Sequence, residues 1–478
     1  MLPKPFSWDR ALARAGRLDG KFVIGVLTTG IYCLPSCGAR PPKPENVRLF
    51  ATEAEARAAG LRPCKRCRPD LFYRGEDGDV ALFEGLCVRV RAAPERFSDA
   101  SDLARACGVS QGKLEDLMRK HGHATPAAWL RRERVRAAGA LLLETHERVV
   151  EVGHAAGFAS ESVFHRQFLG LTRMTPGAYR GLDGARVFQL QLPPGYRDRE
   201  ILSYHARDPQ SPAEKVHGRR IVKALATPDG PVVLEIQLER GAAWCQLHTE
   251  KTLRRDCMRL VHGAALRMLG LRCDVTGFEH RAERDPKMAA LVAVRPGLRL
   301  PLTPNTFEGL CWAIIGQQIN VSFASALRRE LLTLAGDEIA DMRAHPTPER
   351  VAALDAADLA RRRYSRSKAE YLTGAARAVA AGTLAPETMS EGSAVAAERS
   401  LLGIHGIGKW TARYTLMRGA GFADCAPVGD VALAAALQKL VAANERPDAA
   451  EVERLMQPFA PHRSLATCHL WASLKEAA

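Results

Sequence analysis

The apolar positions change period several times along this chain, and each change marks a new element. Lys21–Tyr32 (KFVIGVLTTGIY) is β-branched and apolar with a Thr-Thr-Gly break, and predicts strand. Thr52–Ala59 predicts a short helix, with Thr52 as its cap and Glu55 completing a capping box. Leu103, Ala106, Val109, Leu114 and Leu117 then fall at helical spacing. Gly108 breaks that run, and Ser110 is placed to cap the second helix. Val152–Phe168 repeats the arrangement, with its turn at Gly157 and its cap at Ser160. Each copy is followed by a Thr-Pro start signal, Thr125-Pro126 and Thr175-Pro176. The Arg-rich segment 126–143 between the copies predicts one long helix.

Between residues 186 and 272 the period returns to that of strands: VFQLQL, RIVKAL, VVLEIQL and CQLHT, separated by charge, Pro and Gly. They predict an antiparallel sheet with a helix or two. From Arg272 to the end, Ala and Leu recur at helical spacing. Phe307–Leu327 is an amphipathic pair of segments broken at Gly316-Gln317-Gln318. Buried glutamines are costly without hydrogen bonds. Leu401–Asp430 holds two helical segments joined by Gly406-Ile407-Gly408, then a Pro-Val-Gly turn ending in Asp430. Glycines there allow a tight hairpin, and the amides freed at the second helix start suit a phosphate.

Length and composition bound what these elements build. At 478 residues two to four domains are expected. A net charge of +15 and a pI near 9.5 favour an anionic polymer as partner, and the basic excess is spread over both halves. No secretory pattern or long apolar run is present, so a reduced cytoplasm is expected, with no membrane partner.

Of 12 cysteines only Cys33, Cys37, Cys64 and Cys67 are grouped. Two close pairs about thirty residues apart suit tetrahedral zinc through four thiolates. A closed site of this kind is most often structural. Here it is ringed by Arg40, Lys43, Arg62, Lys65, Arg66 and Arg68. A four-thiolate zinc carries roughly two negative charges, so its sulfurs are electron-rich, and the cations would bring a phosphate backbone to them. TTGIYCLPSCGARPPKPENVRLFATEAEARAAGLRPCKRC resembles the N-terminal domain of the Ada alkylation-response family, over about residues 1–75. That resemblance implies that Cys33 accepts a methyl group from a DNA methylphosphotriester. Cys37, Cys64 and Cys67 would be the other ligands, and Arg40 and Arg66 would contact the DNA backbone.

The paired units of 102–168 resemble the AraC-type DNA-binding domain. One departure is Arg173, where a glycine normally precedes the second Thr-Pro. Base-reading residues would lie on Gln111–Arg119 and Ser160–Arg166. A Pro-Cys-His-Arg signature is missing from the sequence, so the O6-alkylguanine transfer domain of Ada is not expected.

Gly406-Ile407-Gly408-Lys409-Trp410-Thr411 with Asp430 resembles the helix-hairpin-helix DNA glycosylases. RPGLRLP (295–301), the Gly-Gln-Gln turn and HRSLATCHLW (462–471) narrow this to 3-methyladenine glycosylases of the AlkA type. The resemblance implies Asp430 as the catalytic carboxylate, and Trp410, Tyr414, Trp471 and Tyr204 as the base pocket. Gly406, Gly408, Lys409 and Thr411 would grip DNA, and Gln318 stands at the wedge position. Trp410 occupies the place where lyases of this superfamily carry lysine, so simple hydrolysis is expected. For each aromatic the plain alternative is core packing, and for Asp430 a helix cap.

The expected architecture is α+β and multidomain. A zinc methyl-acceptor domain (1–78) precedes an all-α double helix-turn-helix domain (79–183). An antiparallel sheet domain (186–272) and an all-α helix-hairpin-helix glycosylase domain (273–478) follow. The expected cofactor is Zn2+. The expected partners are double-stranded DNA, both alkylated and promoter, and RNA polymerase, with the chain acting as a monomer. Two competing readings are a regulator whose C-terminal half only binds DNA, and a glycosylase whose N-terminal modules are a tether.

Overall fold

The computed structural model describes residues 18–75 and 77–474. The chain divides into two compact units, residues 1–88 with 100–117, and residues 89–99 with 118–478.

In the first unit a four-stranded sheet has the order β3-β1-β2-β4, from β1 (Val23–Val26), β2 (Ile31–Cys33), β3 (Val47–Phe50) and β4 (Arg62–Pro63). The Thr-Thr-Gly break is the hairpin between β1 and β2, and Gly30 turns it at φ +64°. β4 pairs parallel to β2, with Tyr32 opposite Pro63, which sets Cys33 beside Cys64. Val23, Tyr32, Phe50, Ala56 and Leu61 form the small core beneath. Thr52 caps the helix Glu53–Ala58 by accepting from the Glu55 amide at 3.2 Å, while the Glu55 carboxylate accepts from Ala51 N. Helices Ala100–Cys107 and Gln111–Leu117 follow, turned at Gly108 (φ +66°) and packed through Leu103, Leu114 and Leu117.

The second unit opens with the long helix Pro126–Glu144 and the second helix-turn-helix, Val149–Ala155 and Glu161–Thr172. Gly157 turns it at φ +89°, and a Cβ there would meet Glu95 Cα at 2.9 Å. Arg173 does take the left-handed conformation (φ +61°) that its missing glycine would have adopted freely. A five-stranded antiparallel sheet follows in the order β5-β9-β8-β7-β6: β5 (Val187–Gln191), β6 (Glu214–His217), β7 (Arg220–Thr227), β8 (Gly230–Glu239) and β9 (Ala242–His248). Four of these strands are the apolar runs in the sequence. β6 escaped because EKVH is short and mostly polar. One core runs from Phe164 and Phe168 through Ile221 and Leu234 to the helix Arg255–Met268.

Beyond residue 272 the regular elements of the described residues are helices apart from a hairpin of two two-residue strands, Glu338–Ile339 with Met342–Arg343. Its Met342 fills against Ala224 and Val233 of the sheet. The sheet is tied to the helix Thr306–Ile315 by buried charge. Lys223 donates to Glu308 at 2.7 Å, and Arg328 donates to Glu308 at 2.7 Å and to Glu214 at 3.4 Å. Burial opposes ionisation of Glu308, yet Lys223 and Arg328 hold its carboxyl at about 2.

Candidate active site and metal centre

The hairpin after helix Ala394–Leu402 is built on Gly406, at φ +81°. A Cβ there would lie 2.1 Å from the Tyr371 ring, so glycine is required twice over. Gly408 is not left-handed. It has φ −87°, and a Cβ on it would meet nothing within 4 Å. Its open face and the exposed Lys409 look outward at the start of helix Lys409–Tyr414. Thr411 is 2% exposed, and its hydroxyl accepts from Gln317 Nε2 at 2.9 Å. Gln317 also donates to the Gly406 carbonyl at 3.0 Å, bracing the hairpin to the Gly316–Gln318 turn. Gln318 is exposed and left-handed (φ +56°). The two adjacent glutamines thus divide the work, one holding the scaffold and one projecting.

Asp430 follows Gly429 (φ +94°) and caps the helix Val431–Val441, with Leu433 N donating to Oδ1 at 2.8 Å. Two indoles also donate to its carboxylate, Trp410 Nε1 to Oδ2 at 3.1 Å and Trp471 Nε1 to Oδ1 at 3.0 Å. The helix Arg463–Ser473 brings Trp471 there. Its first residue, Arg463, grips Asp424 through Nε (2.8 Å) and Nη2 (2.9 Å), and Ser464 donates to Phe422 O at 2.6 Å. The loop leading to Asp430 and the helix carrying Trp471 are therefore locked together. Trp410 and Tyr414 pack with ring centroids 5.3 Å apart, and Tyr414 and Trp471 at 6.2 Å. Burial pushes the Tyr414 phenol up, and its oxygen accepts from Trp312 Nε1 at 3.1 Å. Tyr204, on the helix Arg199–His205, joins the cluster through Arg418, which lies over both Tyr204 (4.7 Å) and Trp471 (5.3 Å).

Sequence reasoning missed Trp312, Arg207 and Arg418. Arg207 stacks over Tyr204 at 4.1 Å and Trp312 at 4.6 Å. The Gly-Gln-Gln turn pointed toward Trp312, four residues before it. Nothing in the pattern marks Arg207, which reaches the cluster only because the sheet domain folds against helix Thr306–Ile315. The resulting arrangement is a carboxylate held by three donors beside a wall of electron-rich rings, suited to stabilising positive charge next to a planar base.

In the first unit the sulfurs of Cys33, Cys37, Cys64 and Cys67 all lie within 4.8 Å of one another. Zinc–sulfur bonds of about 2.3 Å require tetrahedral sulfurs roughly 3.8 Å apart, so the four residues fit Zn2+. Mutual hydrogen bonds among the four thiols lower Cys37 and Cys64 and raise Cys33 and Cys67, so the sulfurs share their protons as one cluster. Leu34 N donates to Cys67 Sγ at 3.4 Å, and Asp19 accepts from Ser36 N at 2.9 Å, fixing the loop between the first pair. Cys33 and Cys64 are buried, while Arg40, Arg62, Lys65 and Arg66 are exposed.

Four families match in chain order. They are the metal binding domain of Ada (7–70), a helix-turn-helix domain (103–181), the AlkA N-terminal domain (187–305) and the HhH-GPD superfamily base excision DNA repair protein (311–461). A Mycobacterium tuberculosis protein, named as a probable bifunctional transcriptional activator/DNA repair enzyme AlkA, is 29% identical over 487 residues, spanning 97% of this chain and 95% of its own. The DNA-3-methyladenine glycosylase of Bacillus subtilis is 34% identical over 229 residues, 47% of this chain and 74% of that one. The structure of 3-methyladenine DNA-glycosylase from Archaeoglobus fulgidus covers 61% of this chain and 99% of its own at TM-score 0.54 and 20% identity, a likeness of fold. The chain belongs to the DNA-3-methyladenine glycosylase family, in a form that carries an Ada-type zinc module and a helix-turn-helix domain ahead of the glycosylase.

Proposed function

We propose that this chain hydrolyses the N-glycosidic bond of alkylated bases in DNA, with Asp430 as the catalytic carboxylate. The observation that carries this is the Asp430 carboxylate held by both Trp410 and Trp471 within one aromatic cluster. As the glycosidic bond breaks, its electron pair goes to the base and positive charge develops at C1′. An ionised Asp430 stabilises that charge, and water then adds to C1′. A flipped alkylated purine is already cationic, so it leaves with little help and is attracted to the faces of Trp410, Tyr414 and Trp471. Gln318 fills the place left in the duplex, and Gly408 and Lys409 hold the backbone. Trp410 at the lyase position supports hydrolysis without a Schiff base.

At the other end of the chain, the Cys33 sulfur takes the methyl group of a DNA methylphosphotriester. A sulfur–carbon bond forms, the methyl–oxygen bond breaks, and the phosphodiester anion leaves. Zinc, when bound, holds the four sulfurs as thiolates. Cys37, Cys64 and Cys67 keep Cys33 in place, and Arg40 and Arg66 bring the backbone to it. Methylation removes one negative charge from the cluster and so strengthens its hold on DNA, which turns a single transfer into a signal for transcription.

Asp430→Asn separates chemistry from folding, because Asn caps helices as well as Asp does. Release of 3-methyladenine from alkylated duplex DNA is expected to fall by about a hundredfold or more, with the melting temperature falling only slightly, since the helix cap stays and only the Trp410 hydrogen bond loses its acceptor. Full release by this variant would overturn the assignment.

A further inference from the structure

Two cations sit in the aromatic cluster with no part in the cleavage described above. The Arg207 guanidinium lies between Tyr204 and Trp312, at 4.1 and 4.6 Å from their centroids. Arg418 lies over Tyr204 and Trp471 and donates to the Pro301 carbonyl at 2.6 Å. Among the described residues neither guanidinium has a carboxylate within 4.0 Å. Glu214 and Glu308, the buried acids of this region, make their ion pairs with Lys223 and Arg328, and Glu214 acts on Arg207 only from a longer distance. Asp430 is bound instead by the indole N–H groups. The cluster therefore has a negative group on one side and, on another, two cations with no carboxylate in direct contact, with Trp471 touching both Asp430 and Arg418.

We propose that Arg207, supported by Arg418, is a specificity-determining residue that sets an electrostatic gradient from the base to the sugar. The proposal rests on the cleavage reading above. In a cationic lesion the positive charge begins on the base and ends on C1′. A guanidinium beside the base raises the energy of the bound substrate, and the strain is relieved as charge moves toward Asp430. In a neutral lesion the base gains negative charge on leaving, and the same guanidinium stabilises it. The charge change on the base is identical in both cases. Both rates therefore benefit, while only the cationic lesion binds against repulsion. This pocket gives up affinity for cationic bases in exchange for rate on both kinds.

Arg207→Met keeps the packing volume and removes the charge. Single-turnover release of 7-methylguanine, a cationic lesion, and of hypoxanthine, a neutral one, is expected to fall about tenfold alike. Affinity is read in an Asp430→Asn background, where the bond stays intact. There Arg207→Met is expected to tighten binding of 7-methylguanine DNA several-fold and leave hypoxanthine DNA within about twofold. Arg207→Lys, which keeps the charge, is expected to restore most of both rates. Unchanged release by Arg207→Met overturns the proposal, as does weaker binding of the cationic lesion or failure of Arg207→Lys to recover either rate. A wild-type chain that releases neither base overturns the cleavage reading itself. A wild-type chain that is active and indifferent to Arg207 overturns only the gradient.

Discussion

At Gly406 two requirements coincide, a left-handed backbone and the Tyr371 ring. At Gly408 neither is present, and only what approaches from outside can demand glycine there. The two positions therefore separate by experiment. Gly406→Ala is expected to destabilise the hairpin by about 2–4 kcal/mol, read as a lower melting temperature. Gly408→Ala is expected to leave the melting temperature unchanged and to weaken binding to abasic duplex DNA. A glycine-flanked turn is common by itself, and the paired glycines and Asp430 were legible only together, through their spacing and the resemblance it carries to helix-hairpin-helix glycosylases. The sequence did not say which glycine was steric, since Tyr371 is distant in sequence. Arg173 shows the opposite case, where a missing glycine foretold a left-handed residue.

Among elements, those that close on themselves were readable. Ser110, Thr125, Ser160 and Thr175 each cap the helix that follows, as local spacing requires. What escaped was held together at long range. The helix Thr306–Ile315 ends in the turn that projects Gln318, and its last carbonyls are closed by a lysine from another helix. Lys368 Nζ donates to Ile315 O at 2.7 Å and Gln317 O at 2.8 Å, and is 7% exposed. Burial lowers its pKa, yet the ammonium supplies a cap to carbonyls that the end of the helix leaves open. Lys368→Met is expected to cost about 2–3 kcal/mol of stability and to loosen the Gln318 turn. Its signature is a lower melting temperature together with weaker binding to abasic DNA. No periodicity could have named Lys368, because a buried lysine on a helix reads as a solvated one.

Over the whole molecule, the proposed function assigns the basic excess to contacts with DNA around the four cysteines, the helix-turn-helix domain and the hairpin. Among the described residues no helix is long and apolar enough to cross a membrane. The order of modules was readable end to end, because each carries a dense local signature. The buried charge between sheet and helices was not, since Lys223, Glu214, Glu308 and Arg328 are single residues scattered over more than a hundred positions. The central claim is that one chain performs both chemistries on alkylated DNA, repeated base release at Asp430 and a single methyl capture at Cys33. The most direct measurement incubates the zinc-loaded chain with methylated duplex DNA and scores both products in one sample. The account predicts many released 3-methyladenines per protein and at most one methyl, on the peptide that contains Cys33. Base release no faster than spontaneous depurination, or a Cys33 that stays unmodified, would contradict it.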